Sequence, residues 1–597
     1  MAADMVGFVH PSLAFLGLAA LLPFAKGRIN WKPLTLIPPL IAVATAVWLS
    51  FSLEGGQVVL AKMHWLNNTL VLARADKLSL VFMHVFALQS LLAAVYALYQ
   101  DTPAEPAAAA LHVGGALGCL LAGDYLTLFV FWELTSIGST LLIWLRRTDS
   151  AMAAGYRYFL FHIFGGLLLL FGLILRYKAT GSLAFEHVAP GPLALYDWLI
   201  LGGFAVNAAV VPLHAWLSDA YPEASAMGSV YLCAFTTKTA VYVLARAFSG
   251  FEPLTVAGAA MVLYAGVYAL VESDARRSLA YQTIAQVGFM LAGIGVGTEL
   301  ALNGACAHAF AHVAYKGLMF MTVGAVLTST GTARMERLGG LAKAMPLVAV
   351  CYLAAAASTS GLPLFGGFTT KSMTISAASG FNTWLGLALE LGALAAILAV
   401  GVRLPYLVFF APKGQAEPAA PVPGCMKAAM AGGALVCLGL GVFPGALYAI
   451  LPYKVDFQPY TAWSVLQSLM LTGFGLLAYM IAKNVVAPLP GRLADFDMLY
   501  GAVGRVFYKL VSQPLAVVDG FWSEVYRTVG LRGLMEKARF AAVFDRKGID
   551  MVVDGAAYAA GHLGGVAATA QTGRLQTYLA ASLALAVAVF AGIWLWP

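Results

Sequence analysis

The sequence predicts an all-α polytopic membrane protein with about sixteen transmembrane helices. Two inverted repeats, each with a broken helix, and a C-terminal amphipathic lateral helix complete the expected fold. Three observations carry this. Of the 597 residues, 61% are hydrophobic and 11% charged, against about 25% charged in a soluble domain. A water-soluble enzyme has nowhere to bury so much apolar surface, and 34 Phe, 25 Tyr and 12 Trp exclude disorder and fibrous repeats. Apolar runs of membrane length also recur along the chain. Finally, two of those runs hold a proline where a continuous helix would not place one.

A spanning helix needs about 20 mostly apolar residues. Such runs centre near residues 18, 43, 88, 115, 134, 167, 204, 236, 263, 288, 315, 360, 397, 439, 474 and 587. The cuts KGRINWK, RRTDS, ESDARRS and STGTARMER follow odd-numbered runs, and their Lys and Arg mark cytoplasmic loops. The N-terminus then lies outside, with Asp101 and Glu105 running against the charge rule. No basic stretch precedes a cleavable segment, so the first helix is expected to be retained. The net charge of +7 belongs to those loops and points to no nucleic-acid partner. Cys119, Cys233, Cys306, Cys351, Cys425 and Cys437 lie scattered without a CxxC pair, as packing residues do.

The expected division is 1–105 for N-terminal helices, 106–250 for the first repeat and 251–412 for the second. Further helices fill 413–487, a lateral segment 488–577 and a final transmembrane helix 578–597. The lateral segment carries 18 charged residues from Pro488 to Thr577, yet keeps apolar patches such as LYGAVGRVFYKLV. That is too polar to span and too apolar for a free loop. An amphipathic segment along the membrane or along neighbouring helices resolves the conflict.

The two breaks fall at VVPLHAWL, with Pro212, and SGLPLFGGF, with Pro363. Unwound backbone at membrane depth is tolerated only where it is buried or lines a wet cavity. Corresponding breaks in two halves point to repeats of the transporter kind; a simple proline kink is the plainer alternative.

Ionisable groups inside spanning helices are costly and need a reason. Glu133 in LFVFWELTSIG, Lys238 in CAFTTKTAVYVL and Lys371 in GGFTTKSM are such groups. So are His308, His312 and Lys316, which fall at i, i+4 and i+8 on one helix face over about 12 Å. Glu390 stands alone in WLGLALELGALAA. His162, His214, Asp219, Arg276 and Arg277 are accessory candidates. A carboxylate near a lysine keeps both ionised, and separating them frees the lysine's proton. A series of such groups bridged by water moves protons laterally; a buried ion pair that only locks helices is the competing reading.

His308 and His312 have no third ligand near in sequence and Lys316 beside them, so no metal is expected. His84, His112 and His162 lack any haem motif. No GxGxxG after a strand, P-loop or nucleophile elbow appears, and no cofactor is expected.

Four motifs in order carry a resemblance. FWELTSIGSTLLIW with Glu133, PLHAWLSDAYPEAS, ESDARRSLAYQTIAQVGFM and HAFAHVAYKGLMF occur along the chain. Together they resemble the antiporter-like subunits shared by respiratory complex I and the Mrp-type Na⁺/H⁺ antiporters. The C-terminal QTGRLQTY is similar to the large complex I (NADH:quinone oxidoreductase) member with its lateral helix, and TTKTAVYVLARAF to the D-type Mrp antiporter subunits. The resemblance implies proton translocation through Glu133, His308, His312, Lys316 and Lys371, with Na⁺/H⁺ antiport as a variant. It implies other membrane subunits as partners, a bacterial cytoplasmic membrane, and no redox site of its own, although the complex it joins can be an enzyme. A redox module, a cation gradient or inorganic-carbon uptake would be the driver. The family's lysine ahead of the first break is Asn207 here. Either Lys238 partners Glu133 in its place, or the first half-channel is weakened. Two readings from other classes compete: a self-sufficient solute transporter, and a haem- or quinone-binding oxidoreductase.

Overall fold

The computed structural model describes residues 8–25, 30–53, 56–65, 68–189, 191–412, 414–483, 487, 494–569 and 572–595. It is mostly helical, and the elements run α1 (Pro11–Ala25), α2 (Ile37–Ser52), β1 (Val58–Trp65), β2 (Asn68–Ala75), α3 (Lys77–Ala97), α4 (Ala104–Leu121), α5 (Tyr125–Trp144) and α6 (Asp149–Thr180). Next come α7 (Leu195–Asn207), α8 (Ala215–Glu223), α9 (Ala226–Ala247), α10 (Pro253–Val271), α11 (Ala275–Val296) and α12 (Glu299–Thr330). Then follow α13 (Pro346–Ser360), α14 (Gly366–Phe381), α15 (Thr383–Ala396), α16 (Gly424–Val442), α17 (Pro444–Tyr448) and α18 (Ala462–Ala482). The C-terminal part holds α19 (Phe496–Val525), α20 (Arg532–Phe544), α21 (Met551–Thr569) and α22 (Leu575–Leu595).

Among the described residues, twelve helices are long and apolar enough to cross a membrane. The four other expected runs are helical too, but each fails for a local reason. α1 is only 15 residues long, α7 and α13 stop at the breaks, and α9 carries Lys238, Arg246 and a row of threonines. The all-α expectation also needs correction. β1 and β2 pair as an antiparallel hairpin, Val58 opposite Ala75 and Trp65 opposite Asn68. Their alternating VVLAKMHW and NTLVLARA fit a half-buried strand pair, a period that a search for continuous apolar runs passes over. The hairpin is fixed to the α4–α5 turn by Val71, whose backbone N–H donates to Asp124 Oδ2 at 2.7 Å.

The cytoplasmic-loop expectation for KGRINWK falls partly outside the described residues, which omit 26–29. The two acidic outliers have local partners. Asp101 lies 3.8 Å from Lys32, and Glu105 accepts from Ser225 and Gln100.

An offset of 150 residues runs through the middle of the chain. Helices α6 and α12 are both 32 residues long, capped by Thr148 and Thr298 at their N-termini and by left-handed Gly181 and Gly331 at their C-termini. Asp124 and Asp274 cap α5 and α11. Each also forms an isolated bridge, to Ala184 and Arg334. Capping side chains satisfy the first free N–H groups of a helix, so equal helices begin and end at equal intervals.

Both breaks are present. Between α7 and α8 the backbone passes through Ala209 at φ +55°, and between α13 and α14 through Gly361 and Leu364 at +75° and +71°. A non-glycine residue at positive φ costs about 1–3 kcal/mol and persists only where its surroundings impose it. Gly367 is imposed in turn, since a Cβ there would lie 1.7 Å from Ser358 O.

The chain divides into two compact units, Met1–Asp497 and Met498–Pro597. In the first, α9, α11 and α12 are buried almost throughout and form the centre. The lateral segment's expected start, 488–493, lies outside the described residues, as does Gln571. From Phe496 to Thr569 the chain is helical, about 110 Å at 1.5 Å per residue. Two π-helical turns, Tyr526–Leu531 and Asp545–Asp550, interrupt it. Leu499, Val503, Val506 and Leu510 make an exposed apolar stripe at helical spacing.

Candidate functional site

The second broken helix and α12 build the centre of the site. His308, His312, Lys316 and Lys371 are all buried. His308 Nε2 lies 3.1 Å from Gln286 Oε1 and its Nδ1 3.3 Å from Thr370 Oγ1. Tyr315 donates to the same Gln286 Oε1 at 3.0 Å. Lys316 Nζ donates to Leu279 O at 3.1 Å, and Lys371 Nζ to Thr359 O. That last acceptor has a structural origin: α13 stops at Ser360, and carbonyls in a helix's final turn lack intrahelical partners and carry the negative end of its dipole. The break thus provides a seat for an ammonium without a carboxylate.

Lys238 is also fully buried, and donates to Cys233 O at 2.8 Å and Thr237 Oγ1 at 3.0 Å. Its charge acts on His308, His312 and Lys316, and that of Lys371 acts on Lys316 as well. Three lysines and two histidines therefore share one buried, electrostatically connected row. Both ring nitrogens of His312 are buried without a protein partner, as is Gln286 Nε2. Buried polar atoms of this kind are satisfied by ordered water, and a hydrated row is what proton transfer needs.

In the first half, Glu133 lies against α6, where its Oε1 is buried without a hydrogen-bond partner. The room for it comes from Gly166, since a Cβ there would sit 2.1 Å from Oε1. At the 150-residue offset Gly166 corresponds to Lys316 and His162 to His312. Where one half places a lysine, the other leaves a notch filled by a carboxylate from the next helix. His162 Nδ1 lies 2.9 Å from Tyr158 O, and His112 Nδ1 3.0 Å from Thr135 O. Those contacts assign the N–H to Nδ1 and leave each Nε2 as an unpartnered acceptor. No direct ion pair joins Glu133 to Lys238 among the described residues; the ammonium donates to its own helix. Asn207 ends α7 with its Oδ1 buried and unpartnered.

The accessory candidates separate. Asp219 pairs with Arg157 at 2.6 Å. Arg276 and Arg277 donate to Ala224 O and Ser218 O; a guanidinium keeps its proton in a protein, which removes both from a relay. Glu390 accepts from Gln467 at 3.0 Å. Both line a cavity of about 340 Å³ beside the second break, with Ser360, Ser372, Ser468 and Lys371. His214, just beyond Pro212, lies 3.3 Å from Asp495 Oδ1. Tyr264 and Tyr281 donate to the same carboxylate. Burial opposes ionisation of Asp495, but the hydrogen bonds from His214, Tyr264 and Tyr281 hold its carboxyl well below the usual range.

His112, Gln286, Thr370 and Asp495 were not singled out as site residues from sequence. The first three are polar positions on apolar helices, visible once charge is not the only criterion. Among the described residues no three His, Cys, Asp or Glu side chains converge as a metal site would require.

Residues 122–398 match the family described as NADH:quinone oxidoreductase/Mrp antiporter, transmembrane. The NADH-quinone oxidoreductase subunit N of Desulforudis audaxviator is 33% identical over 319 residues, covering 50% of this chain and 62% of that protein. The A-type Na⁺/H⁺ antiporter subunit of Alkalihalophilus pseudofirmus is 31% identical over 408 residues, covering 60% and 50%. The chain thus spans between about half and three-fifths of these relatives' length. Its fold is similar to a chain of the Mrp complex of Dietzia sp., with TM-score 0.66 at 22% identity over 80% of this chain and 98% of that one. The matched residues 122–398 hold both helix breaks and the buried lysine row, so it is this part of the chain that is similar to the NADH:quinone oxidoreductase/Mrp antiporter transmembrane family.

Proposed function

We propose that the chain is a proton-translocating subunit of a multisubunit membrane complex of the complex I, Mrp antiporter or membrane-bound hydrogenase type. One observation carries the reading. Lys238, Lys316 and Lys371 lie buried with only backbone or hydroxyl oxygens as hydrogen-bond acceptors. Removing an ammonium from water costs several kcal/mol, and hydroxyl or carbonyl dipoles repay little of that. An ammonium so held is not locked to a carboxylate, which suits a group that hands its proton to a neighbour.

Protons would move from Glu133 past His112 and His162 to Lys238, on through Lys316, His312 and His308, and reach Lys371. Ser360, Ser372 and Glu390 then line the vestibule through which Lys371 exchanges with water. In this reading 106–250 and 251–412 are inverted repeats within a sixteen-span bundle. The 150-residue offset of caps, glycines and breaks supports that division. The N-terminus faces outward in a bacterial cytoplasmic membrane, and the lateral segment 488–577 contacts neighbouring subunits.

Lys316→Ala tests the proposal. Membrane vesicles containing the assembled variant complex should lose ion translocation, with subunit content unchanged on a native gel. Normal pumping or antiport by the assembled variant refutes it. A sodium pulse given to the same vesicles reports sodium counter-transport.

A further inference from the structure

At the N-terminal end of α11, one turn before the Leu279 carbonyl that holds Lys316, four arginines line a single cleft of about 270 Å³. Arg146 comes from the end of α5, Arg276 and Arg277 from the first turn of α11, and Arg334 from the segment after α12. Three carboxylates stand by them, and all are already engaged, Glu336 by Arg334 at 3.4 Å. Asp274 caps α11 by accepting from the backbone N–H groups of Arg276 and Arg277. Glu223 accepts from Arg146 and from Ser150. The cleft therefore keeps an excess of positive charge at the N-terminus of a 22-residue helix, where the dipole adds to it.

A second observation points to a ligand. Arg276 is 3% exposed. Its Nη1 donates to Ala224 O at 2.7 Å, but its Nε is buried with no acceptor in the protein. A charged guanidinium beside the cleft with an N–H left over has a donor to offer to an oxyanion.

Position narrows the source of that oxyanion. Helix α11 spans 22 residues from Ala275, about 33 Å, so its first turn lies at the edge of a hydrocarbon layer about 30 Å thick. The cleft sits where phospholipid phosphates sit, at the end of the bundle that carries the basic loops. We propose that it binds the phosphate of an anionic phospholipid. The phosphate bridges Arg146 of the first half to Arg276 and Arg334 of the second. Basic pockets at helix ends on the charged side of a membrane are suited to such headgroups.

The test is thermal unfolding of the purified, delipidated full chain in neutral detergent, titrated with short-chain phosphatidylglycerol, short-chain phosphatidylcholine or inorganic phosphate. Phosphatidylglycerol should raise the unfolding temperature saturably, and phosphatidylcholine should not. In Arg276→Gln the half-saturating concentration should rise by about tenfold, the value of one lost charge-assisted bond. Arg334→Gln, whose side chain is 57% exposed and therefore dispensable for folding, should weaken binding in the same direction. An unchanged titration in Arg334→Gln, or no shift with any anion, overturns the proposal. Stabilisation by inorganic phosphate that phosphatidylglycerol does not reproduce overturns the lipid as the source and leaves a free anion.

Discussion

Replacing Gly166 by alanine tests the position of Glu133 without touching its chemistry. A methyl group at Gly166 would stand 2.1 Å from Glu133 Oε1 and 3.1 Å from Cδ, while ordinary contact begins at 3.4 Å. The carboxylate must therefore withdraw by about 1.3 Å, the difference between 3.4 and 2.1 Å. It is the far end of a flexible side chain on a partly exposed residue, so the helices themselves need not move. A displacement of about 1 Å at a reacting group can cost about a hundredfold in rate. Gly166→Ala should thus assemble normally and lose translocation by one to two orders of magnitude. Proton uptake by inverted vesicles, followed with a pH-sensitive dye and normalised to subunit content, measures it. Gly202→Ala is the control: it lies on α7, and its new methyl would meet only Leu168 Cδ1 at 3.5 Å. Wild-type rates in Gly166→Ala, with the variant incorporated, would refute a role for the notch.

Three further outcomes are expected. Glu133 and Lys238 stand in series in the proposed relay, so the double variant Glu133→Gln with Lys238→Ala should transport little worse than the more severe single variant in vesicles; additive losses would place them on separate paths. Asp495→Asn should destabilise the purified chain by about 1–3 kcal/mol, read as unfolding temperature. Its carboxyl is held below the usual range, so the deficit should be full at neutral pH and persist through pH 4, where ordinary carboxylates protonate, before shrinking in stronger acid. Ala209→Gly relieves a positive φ and should raise the unfolding temperature, the backbone strain removed being worth about 1 kcal/mol.

Much of this molecule is legible in its residues because the bilayer imposes length and polarity on every span. Glu133, His312 and Lys316 stand out for that reason: charge in an apolar helix has no cheap explanation. The β-hairpin was illegible to the same criterion, since strand alternation averages out over a membrane-length window. The partner of Lys238 was illegible on other grounds. Which way an ammonium turns depends on Cys233 O and Thr237 Oγ1 on its own helix, and sequence proximity to a carboxylate says nothing about that. Asp495 escaped because its three partners lie 214 to 281 positions away along the chain.

The lysine row has a consequence for occupancy. Lys316 lies between Lys238 and Lys371 and feels the charge of both within the buried centre, where unit charges interact more strongly than in bulk water. Full protonation of all three is therefore opposed by each on the others. In the proposed relay, a proton arriving at one end would make the next site harder to keep filled, and the row would advance like a queue in which a newcomer displaces the one ahead. Glu133 stands at the near end in the notch left by Gly166, and Glu390 shares the cavity of Lys371 at the far end. Like-charge exclusion along the row, with a carboxylate at either terminus, would hand protons along without any moving part between its members.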